Sequence, residues 1–149
     1  MKIQVTGLLE AVRANRARAA RLVGGTPRAL RDALTDTLRD VWTSFDQQRQ
    51  VGGRGWAPLA RGTLRQKLRL GYSPKALIRT GALRQGWEIQ VRGNTGTLRA
   101  TATGKRGVPY GVYQHEGTRT IPARPFTPTE AVVRAHARAA FQRLVKEAL

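Results

Sequence analysis

The feature that most constrains the fold is a helical repeat of large apolar residues in the first third of the chain. Leu30, Leu34, Leu38, Val41 and Phe45 follow one another at spacings of three and four. This period places all five on one face of an α-helix, and aspartates alternate with arginines on the far side. The pattern predicts an amphipathic helix that buries one face, so we expect a packed core around it.

Capping residues predict where this helix begins. Thr26 is expected to be the N-cap and Pro27 the first helical residue, which gives a helix over residues 27–45. Residues 1–24 are expected to form a short extended segment and a separate helix over residues 7–23, ended by a Gly-Gly pair. The apolar stripe of that first helix is thin, so it can pack on a neighbouring subunit as easily as on its own core.

The second half of the chain changes its period from helical to alternating. Apolar and polar residues alternate in residues 87–92 and again in residues 98–103, with a turn expected at residues 94–96. This pattern predicts a β-hairpin with one face in water. A short helix is expected to start at Thr63, and a last helix to start at Pro128 or Thr129.

The order of these elements defines the expected fold class. Helices come first, then a hairpin, then a helix, which is typical of an α+β domain with helices packed on one face of a small antiparallel sheet. A chain of 149 residues is long enough to bury one core of ordinary size. We therefore expect residues 1–149 to form a single α+β domain with N-terminal and C-terminal helices.

The net charge of +18 is the strongest compositional signal. Such a charge attracts polyanions, and DNA is the obvious one. The alternative is that the 22 arginines, spread evenly along the chain, simply occupy solvated positions. Because no run of aromatic residues alternates with the arginines, any DNA contact is expected to be to phosphates rather than to bases.

The residues that carry enzyme chemistry are scarce. The chain has no cysteine, two histidines and nine carboxylates. His115 and Glu116 resemble the start of a zinc-protease signature, but the second histidine is missing and Gly117 is a poor helix continuation. We expect no catalytic site, no metal and no cofactor. We also expect synthesis in the cytosol and no membrane span, since neither a signal peptide nor about 18 consecutive apolar residues occur.

Three segments outside the periodic elements show a pattern of their own. Trp56 and Leu59 can close the side of the core from a loop, the glycine of "RTGAL" permits a backbone turn, and the two prolines of "IPARPF" stiffen the approach to Phe126. In order, the segments contain Trp56, Pro58, Leu59, Thr63 and Lys67; then Leu77, Ile78, Thr80, Gly81 and Leu83; then Tyr110, Tyr113, His115, Gly117 and residues 121–126.

These segments, over residues 53–126, resemble the virion morphogenesis, or tail completion, family of tailed bacteriophages, typified by phage Mu. The resemblance implies a structural virion protein that joins heads to tails at the neck or at the head-proximal end of the tail. Position 111 is glycine where the family has alanine, and Thr127 replaces the customary leucine. The order of residues 114–116 also differs from the family's pattern.

The resemblance also implies a place and a set of partners. The protein would be found in the virion, and in the host cytoplasm during assembly. Its partners would be other copies in a ring, for which we expect six subunits, the tail tube and the head–tail connector. DNA passing through the ring would be touched without sequence preference. The alternative function, which rests on charge alone, is a basic DNA-binding protein without sequence specificity.

Residues 110–126 are expected to form a docking or subunit-interface loop, with bracing of the chain's own core as the alternative and an active site as the least favoured reading. Phe126 is the expected anchor in a partner's pocket, and Arg124 is expected to be presented to the same partner. The expected docking residues are Trp56, Tyr110, Tyr113, His115, Arg119, Ile121, Pro122, Arg124, Pro125 and Phe126. The expected framework residues are Pro58, Leu59, Thr80, Gly81, Leu83 and Gly117.

Overall fold

The computed structural model describes residues 8–104 and 107–149. Within them the protein is an α+β fold of five helices and one antiparallel hairpin, as the sequence predicts. The elements in chain order are α1 (Leu8–Gln47), α2 (Arg61–Arg69), α3 (Ala82–Gln85), β1 (Trp87–Arg92), β2 (Thr95–Ala100), α4 (Gly111–Glu116) and α5 (Glu130–Ala148).

Helix α1 is one continuous helix of 40 residues, so the prediction of two helices divided by the Gly-Gly pair is wrong. The hydroxyl of Thr26 donates to the carbonyl of Leu22 at 2.9 Å, one turn earlier, instead of capping a new helix. Pro27 lies inside α1, where its missing amide removes one hydrogen bond of the helix. The extended segment and the Thr6 cap expected before this helix lie outside the described residues.

Packing against α5 explains why the helix continues through the glycines. Ala29 and Ala33 of α1 form a buried cluster with Ala140 and Leu144 of α5. A Cβ atom at Gly25 would overlap the side chain of Leu144, so the glycine permits a close approach of the two helices. The Gly-Gly pair therefore marks a helix contact and not a helix end.

Polar contacts between the two helices show that α1 and α5 run antiparallel. Arg28 forms an ion pair with Glu147 near the C-terminus of α5, and Asp40 forms a hydrogen bond of 2.7 Å with His136 nearer its N-terminus. Because rising numbers in α1 meet falling numbers in α5, the first turns of α1 extend past the end of α5. Residues 12–21 are all exposed.

The hairpin follows the predicted alternation closely. Trp87 pairs with Ala100 and Arg92 pairs with Thr95, which leaves a two-residue turn at residues 93–94. The turn is thus shorter than expected, because Thr95 and Gly96 belong to β2. Helix α1 packs on the hairpin, where Leu34 approaches the backbone of Gly96.

The main core lies where the C-terminal half of α1 meets the hairpin and the loops. Phe45 stands at its centre, with its ring centroid 5.6 Å from that of Trp56 and 5.5 Å from that of Phe126. Trp87 of β1 contacts the Phe126 ring edge-on at 5.8 Å. Val41, Ala76, Leu83 and Ala102 complete the buried cluster.

The two remaining predicted helices are both present. Helix α5 begins at Glu130, directly after the expected start at Pro128 or Thr129. Helix α2 begins at Arg61, two residues before the expected Thr63, and Ala60 precedes it without a side-chain cap. Among the helices of the described ranges, none combines the length and the apolar character that a membrane span requires.

Candidate docking site

Residues 117–127, which we call the strap, cross the surface without helix or strand. The strap starts with a tight turn in which the amide of Thr118 donates to the carbonyl of Ile121 at 2.8 Å. Gly117 has a φ of 80°, and a Cβ atom there would lie 2.7 Å from the amide nitrogen of Ala123. Both the left-handed backbone and the close contact require glycine at this framework position.

Arg124 ties the strap to the loop after Trp56. Its side chain is only 5% exposed, its Nε donates to the carbonyl of Ala57 at 2.9 Å and its Nη2 to that of Pro58 at 3.1 Å. The backbone amide of Arg124 also donates to the carbonyl of Gln114. Burial lowers the pKa of Arg124, because desolvation disfavours the charged form.

Phe126 ends the strap inside the core. Its ring is 3% exposed and is contacted edge-on by the His115 ring, with centroids 5.0 Å apart. The Nε2 of His115 hydrogen-bonds the hydroxyl of Thr127 at 2.8 Å, and the Nε1 of Trp56 donates to the carbonyl of Pro125 at 2.7 Å. Burial lowers the pKa of His115, and the charge of Glu116 opposes that effect.

The structure corrects the expectation that Trp56 and Phe126 face a partner. Both side chains are buried in their own chain, and the Nε1 of Trp56 has its acceptor there. Arg124 is held internally through its Nε and Nη2, although it also lines the groove described below. His115 and the backbone of Pro125 serve the same internal bracing. Composition alone cannot separate a phenylalanine that anchors an interface from one that fills its own core, since both require an apolar cavity.

The segment of Thr80, Gly81 and Leu83 contributes to the same region of the surface as the strap. Gly81 has a φ of 84° and precedes α3, which confirms the predicted backbone turn. The hydroxyl of Thr80 accepts a weak hydrogen bond from the amide of Ala82 at 3.4 Å. Leu83 is buried in the main core, where it lies close to Gly111 of α4.

An open groove of about 1070 Å³ lies beside the strap. All three segments that carry the family resemblance contribute to its lining, although they are distant in sequence. The expected docking and framework residues in the lining are Pro58, Leu59, Thr80, Gly81, Leu83, Tyr110, Ile121, Pro122 and Arg124. Tyr113 and Arg119 are exposed but lie outside this lining.

Helix α2 provides another part of the groove and is held by one lysine. The Nζ of Lys67 donates to the carbonyls of Lys75, at 2.5 Å, and Ile78, at 2.7 Å. Burial, and then the nearby charge of Arg79, lower the pKa of Lys67. Leu70, directly after α2, lines the groove with 51% of its surface exposed.

The charges around the groove have one sign. Among the described residues its lining includes Arg61, Lys67, Arg79 and Arg124 and no carboxylate. The guanidinium of Arg79 lies over the ring of Tyr72, 5.0 Å from its centroid, which is a cation–π contact at the groove. The groove is therefore both apolar and electropositive.

Several residues that build the groove carry no clear signal in the sequence. Gln48 has a φ of 55°, and its amide side chain bonds both the amide of Ala76, at 2.5 Å, and its carbonyl, at 3.2 Å. This clamp fixes the backbone just before Leu77, whose φ is also positive. The leucines of "KLRLGY" are the available sequence signal that the region of α2 forms part of a surface site, because they are apolar residues in a short, arginine-rich and exposed segment.

A second unpartnered surface is the first part of α1. Residues 12–21 are exposed on every side and include Arg13, Arg16, Arg18 and Arg21. No carboxylate occurs in this stretch. It is therefore a strongly cationic rod.

No group of three or more histidine, aspartate or glutamate side chains placed to hold a metal ion occurs in the described part of the chain. Comparisons of this chain with models of protein families, with curated proteins and with solved structures gave no match.

Proposed function

We propose that the protein is a structural component of a tailed-bacteriophage virion that completes the tail and joins it to the head. The observation that supports this proposal is the convergence of three separate segments on one groove. Segments near Pro58, Thr80 and Ile121 carry the family resemblance, and all three line that groove. A shared docking surface accounts for a pattern that is discontinuous in sequence but continuous in space.

The bracing of the strap suits a docking role. Arg124 and Phe126 hold the strap from inside, so the partly exposed Ile121 and the exposed Pro122 are already fixed before a partner arrives. Ordering a loop on binding costs free energy, and a pre-ordered loop avoids that cost. The internal hydrogen bonds of Arg124 and the buried ring of Phe126 therefore supply the rigidity of the docking surface.

In this proposal the protein lies at the neck or at the head-proximal end of the tail, in a ring of its own copies. Six subunits is our expected number. The exposed residues 12–21 would pack on a neighbouring subunit, while the groove would take a segment of the head–tail connector or of the tail tube. The cationic surface would reduce the repulsion of DNA phosphates passing through the ring.

Deleting the gene from a phage genome that encodes this chain tests the proposal. We expect heads that package DNA and complete tails that fail to join them, as seen by electron microscopy, with joining restored by a plasmid copy. Normal virions in the absence of the protein would contradict the proposal. Loss of the heads themselves would also contradict it, because the defect would then precede joining.

A second candidate function is binding of DNA without sequence preference, favoured by the cationic rod of residues 12–21. Its signature is a steep fall of affinity with salt, with a logarithmic slope of about −0.9 per phosphate contact. Changing Arg13, Arg16, Arg18 and Arg21 to glutamine should then reduce that slope by about three to four. A monomer with such a slope would favour this function, whereas a ring that binds DNA weakly would favour the virion role.

A further inference from the structure

We propose that the groove binds an acidic segment of a different protein, one that carries apolar side chains beside its carboxylates. A carboxylate of this segment pairs with Arg124 and Arg79, and its apolar side chains cover Leu70 and Ile121. This inference rests on the docking role proposed above and specifies the chemistry of the partner.

The first argument is the state of Arg124. Buried charges in proteins are normally paired with an opposite charge, because desolvating them alone is costly. Arg124 is 5% exposed, yet its partners are the neutral carbonyls of Ala57 and Pro58. No carboxylate of the described residues lies within ion-pair distance of it, and its Nη1 has no acceptor among them. Since Arg124 lines the groove, an incoming carboxylate can supply the missing charge.

The second argument is the distribution of carboxylates over the molecule. Some surface arginines have acidic neighbours, as in the pairs Arg84–Asp46 at 2.9 Å and Arg134–Glu130 at 2.6 Å. At the groove, Arg61 and Arg79 are exposed, and no carboxylate of the described residues lines the surface. The groove is therefore electropositive.

The third argument is the apolar part of the same surface. Leu70 is 51% exposed and Ile121 is partly exposed, and both line the groove together with Tyr110. Burying such side chains against an apolar partner is worth about 25 cal/mol per Å². A polyanion without apolar groups, such as a nucleic acid backbone, would leave these side chains uncovered.

A second copy of this chain is a poor occupant. Four of its nine carboxylates are already held in ion pairs, those of Asp36, Asp46, Glu130 and Glu147, and that of Asp40 is hydrogen-bonded to His136. Its exposed rod, residues 12–21, carries four arginines and no carboxylate, so it would be repelled by the groove. Charge complementarity therefore favours an acidic partner of a different sequence.

The test uses the full chain and three labelled peptides of equal length, measured by fluorescence anisotropy at physiological ionic strength. The first peptide alternates glutamate with leucine, the second replaces each glutamate by glutamine, and the third replaces each leucine by serine. We expect the first to bind at least about tenfold more tightly than either of the others, which corresponds to about 1.4 kcal/mol. Equal affinities of the first and third peptides would show attraction by charge alone and would overturn the proposal.

Matched variants locate the binding. Leu70→Asp should weaken binding of the first peptide about tenfold, while Leu68→Asp, at a leucine that is 56% exposed but outside the groove, should change it less than about threefold. Arg79→Glu should likewise weaken binding more than Arg138→Glu on α5, which makes the same change of charge. Equal losses within each pair would overturn the proposal.

Arg124→Lys keeps the positive charge but removes the fork of the guanidinium, so it tests the pairing with Arg124 directly. We expect about tenfold weaker binding of the glutamate peptide with little change for the glutamine peptide. If this variant does not fold, the Leu70 and Arg79 pairs decide the matter. Failure of these peptide experiments would leave the gene-deletion result standing, so the two proposals fail separately.

Discussion

The two halves of α1 form one helix but have opposite surroundings. The half over residues 29–45 is buried by α5 on one side and by the hairpin and aromatic core on another, and includes the fully buried Val41 and Phe45. Residues 12–21 are exposed on every side. Residues 12–21 contain four alanines and four arginines, which favour helix strongly.

The difference shows that packing and helix formation are separable in this chain. Once the second half is packed, the first half only has to extend an existing helix, and extension is far easier than nucleation. Helical structure in residues 12–21 therefore needs no contact with the rest of the described chain. The molecule divides into a braced body, which includes the strap, and two unpartnered surfaces, the cationic rod and the groove.

The largest expected effect is a loss of stability of the braced body. Phe126→Ala should lower the free energy of unfolding by about 3–5 kcal/mol, because it empties a ring-sized space between Phe45, Trp87 and His115. Tyr113→Ala is the control: its side chain is 51% exposed, and its effect should stay within about 0.5 kcal/mol. Urea denaturation measures both. Equal stability of the two variants would mean that Phe126 does not belong to the core.

A smaller effect is expected at the boundary between the two halves of α1. Gly25→Ala should lower the stability by about 1–3 kcal/mol, because the new methyl group overlaps Leu144 of α5. Gly24→Ala, one residue away, meets no atom within 4 Å and should raise the stability by up to about 1 kcal/mol. Thermal melting shows whether each variant is more or less stable than the wild type. A gain in both would show that α5 does not approach α1 at Gly25.

The pH dependence should report on the bracing of the strap. Burial lowers the pKa of His115 in the folded state below the value of about 6.5 in the unfolded chain. The stability from neutral His115 is therefore present above about pH 6.5 and is lost as the pH falls through the folded-state pKa. Denaturation at pH 7 and pH 5.5 should show a decrease that is smaller in His115→Gln. An identical decrease in that variant would exclude His115 as its source.

The smallest expected effect on stability is that of removing the rod. Deleting residues 1–21, which removes the rod, should change the free energy of unfolding by no more than about 0.5 kcal/mol, because residues 12–21 of the rod are exposed. The deletion stops before Leu22, which packs on the cluster between α1 and α5. The mass of the protein in solution or in assembly should change if the rod contacts a neighbouring subunit. An unfolded deletion product would place the rod in the core.

Sequence reasoning predicted the elements whose signal is periodic. The apolar repeat of α1 predicted the helix, and the alternation from Trp87 onward predicted the hairpin, because each period places the apolar residues on one face. The Gly-Gly pair led to the wrong prediction of a helix end, because glycine occurs at close contacts between helices as well as at helix ends. Which direction Phe126 faces depends on its neighbours in space, and no local pattern encodes that.

The groove was predictable only in part. Its strap and framework residues stand out as prolines, glycines and aromatics outside any period, but Arg61, Leu70 and Arg79 join them only through the tertiary structure. The Gln48 clamp on Ala76 is equally hidden, because a glutamine at a helix end is unremarkable in sequence. Long-range backbone hydrogen bonds of this kind depend on the fold itself.

Head–tail joining in an extract that lacks the wild-type protein tests the central claim, that the groove is the docking surface, most directly. Purified wild type, Leu70→Asp and Leu68→Asp would be added separately, and joined particles counted by electron microscopy. Both leucines are more than half exposed, so both variants should fold, but only Leu70 lines the groove. We expect joining to be restored by the wild type and by Leu68→Asp and lost with Leu70→Asp. Full joining by Leu70→Asp would contradict the account.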